Sequence, residues 1–121
     1  MINVLIVDDA AFMRLAIKNV LVKNGFMVVA EAKNGQEGVE KYLEFKPDVI
    51  TMDITMPDMT GIEALKKIRE INPKAKVIMV SAMGQESMVK EAIISGAKSF
   101  IVKPFKEEHI TQTILKVAAT S

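Results

Sequence analysis

The sequence contains no cysteine and no tryptophan, and it has a single histidine, His109. Without thiols the chain can form neither a disulfide nor a thiolate metal site, which fits a reducing cytoplasm. One histidine also excludes a metal site built from several imidazoles. No apolar run approaches the ~18 residues of a membrane-spanning helix, and the N-terminus lacks the features of a signal peptide. We therefore expect a cytoplasmic protein with no membrane partner.

An excess of charge of either sign is lacking too, since sixteen basic and fifteen acidic residues give a net charge of +1. This balance provides no basic surface for a phosphate backbone, so we expect no nucleic-acid partner. Half of the 121 residues are hydrophobic and about a quarter are charged, as is typical of a folded domain. We expect one domain over residues 1–121, monomeric and without a separate output domain.

Five short apolar segments alternate with segments of helical periodicity. The apolar segments are Val4 to Val7, Met27 to Ala30, Val49 to Met52, Val77 to Val80, and Phe100 to Val102. Each is nearly continuous, as expected of parallel strands that are covered on both faces. Five β-α units joined by right-handed crossovers predict a single doubly wound α/β domain with a five-stranded parallel sheet. We take the strand order, 2-1-3-4-5, from the flavodoxin-like class of this fold.

Two predicted helices begin with capping residues. Thr60 and Glu63 have the spacing of a capping box, in which each side chain accepts a hydrogen bond from the other residue's backbone N–H. Asn34 and Gly35 precede another helical segment. An Asn-Gly pair can also turn a β-hairpin, but the 3.6-residue periodicity that follows favours a helix.

Polar residues collect where the apolar segments end. Asp8 and Asp9 follow the first segment, Asp53 the third, Ser81 the fourth and Lys103 the fifth. Ligands of open α/β sheets bind at this edge, where the strand order reverses between the first and third strands. Two carboxylates 4 Å apart repel each other by on the order of 1–4 kcal/mol. Either one of them keeps its proton at a raised pKa, or a cation lies among them.

The residue types at this edge suit phosphoryl chemistry. An all-oxygen site with few protein ligands favours Mg²⁺, which shares oxygens with phosphoryl groups. An aspartate carboxylate can be the nucleophile, while Lys103 and Ser81 offer donors to phosphoryl oxygens. Alternatively, Asp8 and Asp9 form only a strand-end turn and a helix N-cap. Their register with Asp53 makes a shared site the favoured interpretation.

In this order and spacing the motifs resemble the response-regulator receiver family. The matching segments are Val4-Leu5-Ile6-Val7-Asp8-Asp9, Thr51-Met52-Asp53-Ile54-Thr55-Met56-Pro57, Gly61, Val80-Ser81-Ala82 and Lys103-Pro104-Phe105. They extend along essentially the whole chain, and their combination is highly specific although each motif alone is common. Met52 to Pro57 and Ser81 to Gln85 are similar to the CheY-type chemotaxis group of this family.

The resemblance implies a role for each acidic residue. Asp53 would be the phosphorylated residue. Asp9 and Asp53 would bind Mg²⁺ directly, together with the main-chain carbonyl of Thr55, and Asp8 would act mainly through a metal-bound water.

The resemblance also implies a conformational switch. Ser81 and Lys103 would bind the phosphoryl group, and Ser81 would be drawn toward it. Phe100 would then turn its ring inward, and the fourth helix, fifth strand and fifth helix would present the change to a partner. Here Ser81 replaces the commoner Thr, and Phe100 replaces the Tyr of the best-known relatives. A cis peptide bond is implied at Lys103-Pro104.

The implied function is a chemotaxis signalling switch, not an enzyme, which assists its own phosphorylation and dephosphorylation. The phosphoryl donor would be a CheA-type histidine kinase. The target would be a motor switch protein or a motor adaptor protein, and a phosphatase would be a further partner.

Three alternatives have weaker support. A phosphorelay receiver outside chemotaxis would share the same motifs. A haloacid dehalogenase-type phosphatase also uses an Asp nucleophile and Mg²⁺, but it needs a second Asp two residues later, where this chain has Thr55. Its nucleophile also belongs on the first strand, whereas Asp53 is on the third. A flavin-binding flavodoxin would need a phosphate-binding loop after the first strand, and residues 10–14 do not provide one.

Overall fold

The computed structural model describes residues 1–120, in which strands and helices alternate. The strands are β1 (Asn3–Val7), β2 (Met27–Ala32), β3 (Val49–Asp53), β4 (Val77–Ser81) and β5 (Ser99–Val102). The helices are α1 (Ala11–Lys23), α2 (Gly35–Phe45), α3 (Gly61–Ile71), α4 (Glu86–Ile94) and α5 (Glu107–Ala118). In the described part of the chain, no helix combines the length and the hydrophobicity needed to span a bilayer.

The strands form one parallel sheet of order β2-β1-β3-β4-β5, which confirms the predicted fold and strand order. Two apolar clusters lie on its two faces. One includes residues of α2, α3 and α4, and the other includes residues of α1 and α5. Because Val7 is paired with Met52 and Ser81 with Val102, neighbouring strands end close to the same level. The residues that follow them therefore share one edge of the sheet.

The burial of the strands differs from the sequence-based expectation at the two edges of the sheet. The central strands β1, β3 and β4 are buried almost throughout, as predicted. The prediction was wrong for β2 and β5, which are edge strands and are only partly covered. On β5, Phe100 remains 43% exposed and Val102 remains 38% exposed.

Both predicted helix caps are confirmed. Thr60 Oγ1 accepts a hydrogen bond from Glu63 N, and Glu63 Oε1 accepts one from Thr60 N, each at 3.2 Å. Asn34 Oδ1 accepts a hydrogen bond from Glu37 N at 2.8 Å, so the Asn-Gly pair begins a helix and does not turn a hairpin.

The first residue of α3 lies against the backbone that carries Asp53. Gly61 N donates a hydrogen bond to Ile54 O at 2.7 Å. A Cβ atom at position 61 would overlap the carbonyl oxygen of Asp53 and lie 2.9 Å from Ile54 Cα. Only glycine therefore allows α3 to begin this close to the end of β3.

We predict that Gly61→Ala lowers the free energy of unfolding by roughly 1–3 kcal/mol, the usual cost of overpacking. A glycine-to-alanine change inside a helix otherwise tends to raise the stability of the protein, by up to about 1 kcal/mol. A loss of stability in Gly61→Ala would therefore identify the close contact with the backbone of Asp53. Urea unfolding measures the difference. Lys67→Ala, at an exposed position of the same helix, is the control and should change stability by less than about 0.5 kcal/mol. Equal stability of Gly61→Ala and the wild type would contradict the prediction.

Candidate functional site

Four strand ends bring the predicted site residues together. Asp8 and Asp53 are buried and Asp9 is exposed. One carboxylate oxygen from each lies within 4.8 Å of the others, a spacing at which the three could hold one metal ion. Lys103 Nζ lies 3.3 Å from Asp8 Oδ2 and 3.5 Å from Asp53 Oδ1. The structure thus joins three carboxylates and one ammonium group at the carboxyl edge of the sheet.

Asp8 is fixed on several sides. Its Oδ1 accepts a hydrogen bond from Ala10 N at 2.9 Å, and its backbone N donates to Ala32 O at 3.0 Å. The strand-end turn considered from the sequence is therefore present. It coexists with the acidic cluster, because the other carboxylate oxygen, Asp8 Oδ2, lies 3.3 Å from Lys103 Nζ. Neither aspartate caps α1, since its N-cap residue is Ala10.

Arg14 supports the same segment, and the sequence-based reasoning missed it. Its Nη1 donates to the backbone carbonyl of Asp8 at 2.7 Å, and its Nε lies 3.4 Å from Glu31 Oε1. A cation near the start of a helix is unfavourable with respect to the helix dipole. That unfavourable position was the one signal in the sequence that Arg14 has another partner.

Asp53 has a pKa raised from the ordinary 3.8 to about 6. Burial is the largest cause, because it removes the charged form from water. The negative charge of Asp8 raises the pKa further, the positive charge of Lys103 lowers it, and Asp9 makes a smaller contribution that raises it. Lys103 therefore lowers the pKa of Asp53 by less than burial and the two neighbouring carboxylates raise it.

Ser81 ends β4 with its hydroxyl buried, and Oγ has no hydrogen-bond partner within residues 1–120. The backbone of Ser81 is held in place, since its carbonyl accepts a hydrogen bond from Lys103 N at 2.7 Å. A buried hydroxyl without a partner costs about 1–3 kcal/mol. Ser81 Oγ is therefore able to donate to an acceptor that enters the site.

Phe100 lies at the surface beside a groove of about 440 Å³ between the β4–α4 loop, α4 and β5. The larger apolar residues that line this groove are Met83, Val89, Ile93, Ile94, Phe100 and Val102. Phe100, the proposed switch residue, therefore lies on the face that the resemblance assigned to a partner.

The predicted cis peptide bond at Lys103-Pro104 is confirmed.

Comparison with known proteins decides the family. Residues 4–115 match the family model described as the response regulator receiver domain. The chain belongs to the response regulator receiver family. It is 63% identical to the chemotaxis protein CheY of Bacillus subtilis, over 94% of this chain and 95% of that one. It is 58% identical to the CheY of Thermotoga maritima, over 96% of this chain and 97% of that one.

A solved structure gives the same result. A chain in the crystal structure of the CheX-CheY-BeF3-Mg²⁺ complex from Borrelia burgdorferi is 41% identical, with a TM-score of 0.93. The match covers 98% of this receiver and 90% of that chain. These similarities support phosphoacceptor signalling in chemotaxis and do not favour the phosphatase, the flavin binder or a relay outside chemotaxis. A receiver of this type is a signalling switch.

The raised pKa of Asp53 predicts a specific pH dependence in the metal-free receiver. The folded state binds the carboxyl proton of Asp53 more tightly than the unfolded state does. Protonated Asp53 therefore contributes its full stabilisation below the unfolded pKa of 3.8, and this stabilisation is lost as the pH rises through about 6. Asp53→Asn, which never ionises, should therefore be more stable than the wild type near neutral pH, by up to about 3 kcal/mol. The difference should shrink as the pH approaches 4.

Urea unfolding over this pH range, with a chelator present, measures the effect. Asp58→Asn is the matched control, because Asp58 is exposed and asparagine tolerates its left-handed backbone, with φ at 69°. A stability difference between Asp53→Asn and the wild type that does not change with pH would contradict the assigned pKa.

Proposed function

We propose that this receiver takes a phosphoryl group on Asp53, in a Mg²⁺-dependent reaction, and so changes its affinity for a chemotaxis protein. The observation that carries the proposal is the convergence of three carboxylates within 4.8 Å, with the Lys103 ammonium group within 3.5 Å of two of them. We also propose that residues 1–121 act as one receiver domain.

The donor set fits the metal. Asp8, Asp9 and Asp53 offer only oxygen atoms, the ligand type that Mg²⁺ prefers. Mg²⁺ favours six ligands, so a site with few protein ligands suits an ion that also keeps waters and shares a phosphoryl oxygen. We assign Asp9 and Asp53 as direct ligands, Asp8 as a ligand through water, and the main-chain carbonyl of Thr55 as the third protein ligand. When bound, Mg²⁺ supplies positive charge that offsets the charge of the carboxylates and of the phosphoryl oxygens.

In the proposed reaction the Asp53 carboxylate attacks the phosphorus atom of a phosphohistidine. The new bond joins Asp53 Oδ to phosphorus, and the bond from phosphorus to the imidazole nitrogen breaks. The electron pair stays with that nitrogen, which takes a proton from solvent. Lys103 offsets negative charge on the transferred group, and Ser81 donates its hydroxyl hydrogen, which has no acceptor within residues 1–120, to a phosphoryl oxygen. The same residues assist the later attack of water.

The groove beside Phe100 is our candidate for the signalling surface. Its lining is mostly apolar, and it shares Ser81 with the site, so movement of Ser81 would alter it directly. The proposed donor is a CheA-type histidine kinase, and the proposed target is a motor switch protein or a motor adaptor protein. A phosphatase is a further proposed partner. The related CheY of Borrelia burgdorferi forms a complex with CheX that contains BeF3 and Mg²⁺, which supports a protein partner for this chain.

We predict that acetyl phosphate adds one phosphoryl group to the wild-type protein and that this addition requires Mg²⁺. Asp53→Asn should gain none, because it removes the nucleophile while preserving the size of the side chain. Intact mass spectrometry is the readout, since the chain has no tryptophan to report the change by fluorescence.

Asp58→Asn is the control and should be phosphorylated like the wild type, because Asp58 is exposed and outside the acidic cluster. Addition of phosphate to Asp53→Asn, or equal addition with and without Mg²⁺, would overturn the proposed function.

A further inference from the structure

Gln85 connects the loop after β3 with the loop after β4. Its Oε1 accepts a hydrogen bond from Ala82 N at 2.7 Å, and its Nε2 donates to Thr55 Oγ1 at 2.8 Å. Gln85 is the N-cap residue of α4, yet its side chain makes no capping hydrogen bond to that helix. The amide group instead bridges two loops at the edge of the sheet where Asp53 lies.

The bridge involves the peptide group that follows Ser81. The N–H of Ala82 is bonded to Gln85, while the neighbouring Ser81 hydroxyl is buried and has no partner in the described chain. Ser81 and Ala82 share one peptide unit, so displacement of Ser81 toward a phosphoryl group also displaces the Ala82 N–H. That displacement lengthens or breaks the hydrogen bond to Gln85. The bridge therefore favours the arrangement in which Ser81 stays where it is.

The other end of the bridge is also close to the site. Thr55 lies two residues after Asp53, and its hydroxyl oxygen accepts the second hydrogen bond from Gln85. The two loops are 30 residues apart in sequence at this contact. A single side chain thus ties the loop that carries the proposed metal-binding carbonyl to the loop that follows Ser81.

We propose that Gln85 is a positioning residue that holds the β4–α4 loop in its resting arrangement and thereby opposes phosphoryl binding at Asp53. The proposal rests on the function proposed above for Asp53. Gln85 does not touch the transferred group; it acts through Ala82 and Thr55. Removal of its side chain should make the switched arrangement easier to reach, so that a phosphoryl mimic binds more tightly.

The test is the dissociation constant for beryllofluoride at saturating Mg²⁺, measured by NMR. Gln85→Ala should bind roughly three- to tenfold more tightly than the wild type, the factor expected from the net loss of one neutral hydrogen bond. Thr55→Val removes one end of the bridge and should have a smaller effect of the same sign. In the double variant the two effects should not add, because both changes remove the same contact. Gln36→Ala, an exposed glutamine on α2, is the control and should bind like the wild type.

A second measurement tests the bridge without any phosphoryl mimic. In the metal-free protein, the amide hydrogen of Ala82 should exchange faster in Gln85→Ala than in the wild type, while amides of β1 and β3 keep their rates. Unchanged exchange at Ala82 would show that the bridge does not hold the loop, and it would overturn the proposal.

The outcomes separate this proposal from the proposed function. Beryllofluoride that binds the wild type but not Asp53→Asn supports the function of Asp53. If Gln85→Ala then binds beryllofluoride as the wild type does, or less tightly, the role of Gln85 is wrong and the function of Asp53 stands. Failure of the wild type to bind beryllofluoride would overturn both.

Discussion

Within residues 1–120, three carboxylates share the carboxyl edge of the sheet with the ammonium group of Lys103, and this imbalance of charge governs the site. Asp8 and Asp53 are buried, so water screens their repulsion poorly. Lys103 lies close to both, but it carries only one positive charge. In the metal-free protein, burial and then the negative charge of Asp8 raise the pKa of Asp53, and Lys103 lowers it by less than they raise it. We propose that a divalent cation neutralises the remaining negative charge of the carboxylates, and that the same cation stabilises the phosphoryl group that Asp53 receives.

The fold serves to keep these like charges together. β1, β3 and β4 are buried on both faces, so their ends are held rigidly side by side. Gly61 lets α3 begin against the backbone of Asp53, and Arg14 ties the carbonyl of Asp8 to α1. The less covered edge strand β5 leaves Phe100 at the surface beside the groove. Stable central strands therefore hold the charges, while the exposed edge of the sheet provides a surface that can change.

Much of this arrangement could be predicted from the sequence, because parallel strands end at one edge and polar residues follow them. The strand order came from the known fold class, and the roles at the site came from the family resemblance. The coverage of β2 and β5 was predicted wrongly from their apolar composition, although the predicted strand order already places both strands at the edges of the sheet. The contacts of Arg14 and Gln85 were also missed. Gln85 bonds to Thr55, 30 residues away, and Arg14 pairs with Glu31 on β2, so no local periodicity marks these contacts.

The most direct test of the central claim is a crystal structure of the protein grown with Mg²⁺ and beryllofluoride. Our account predicts beryllofluoride bonded to the Asp53 carboxylate and one metal ion bound by Asp9 and Asp53. It also predicts Lys103 Nζ against the fluorine atoms. A metal ion located away from these carboxylates, or beryllofluoride bonded to another residue, would contradict the claim that the crowded edge of the sheet is the phosphoacceptor site.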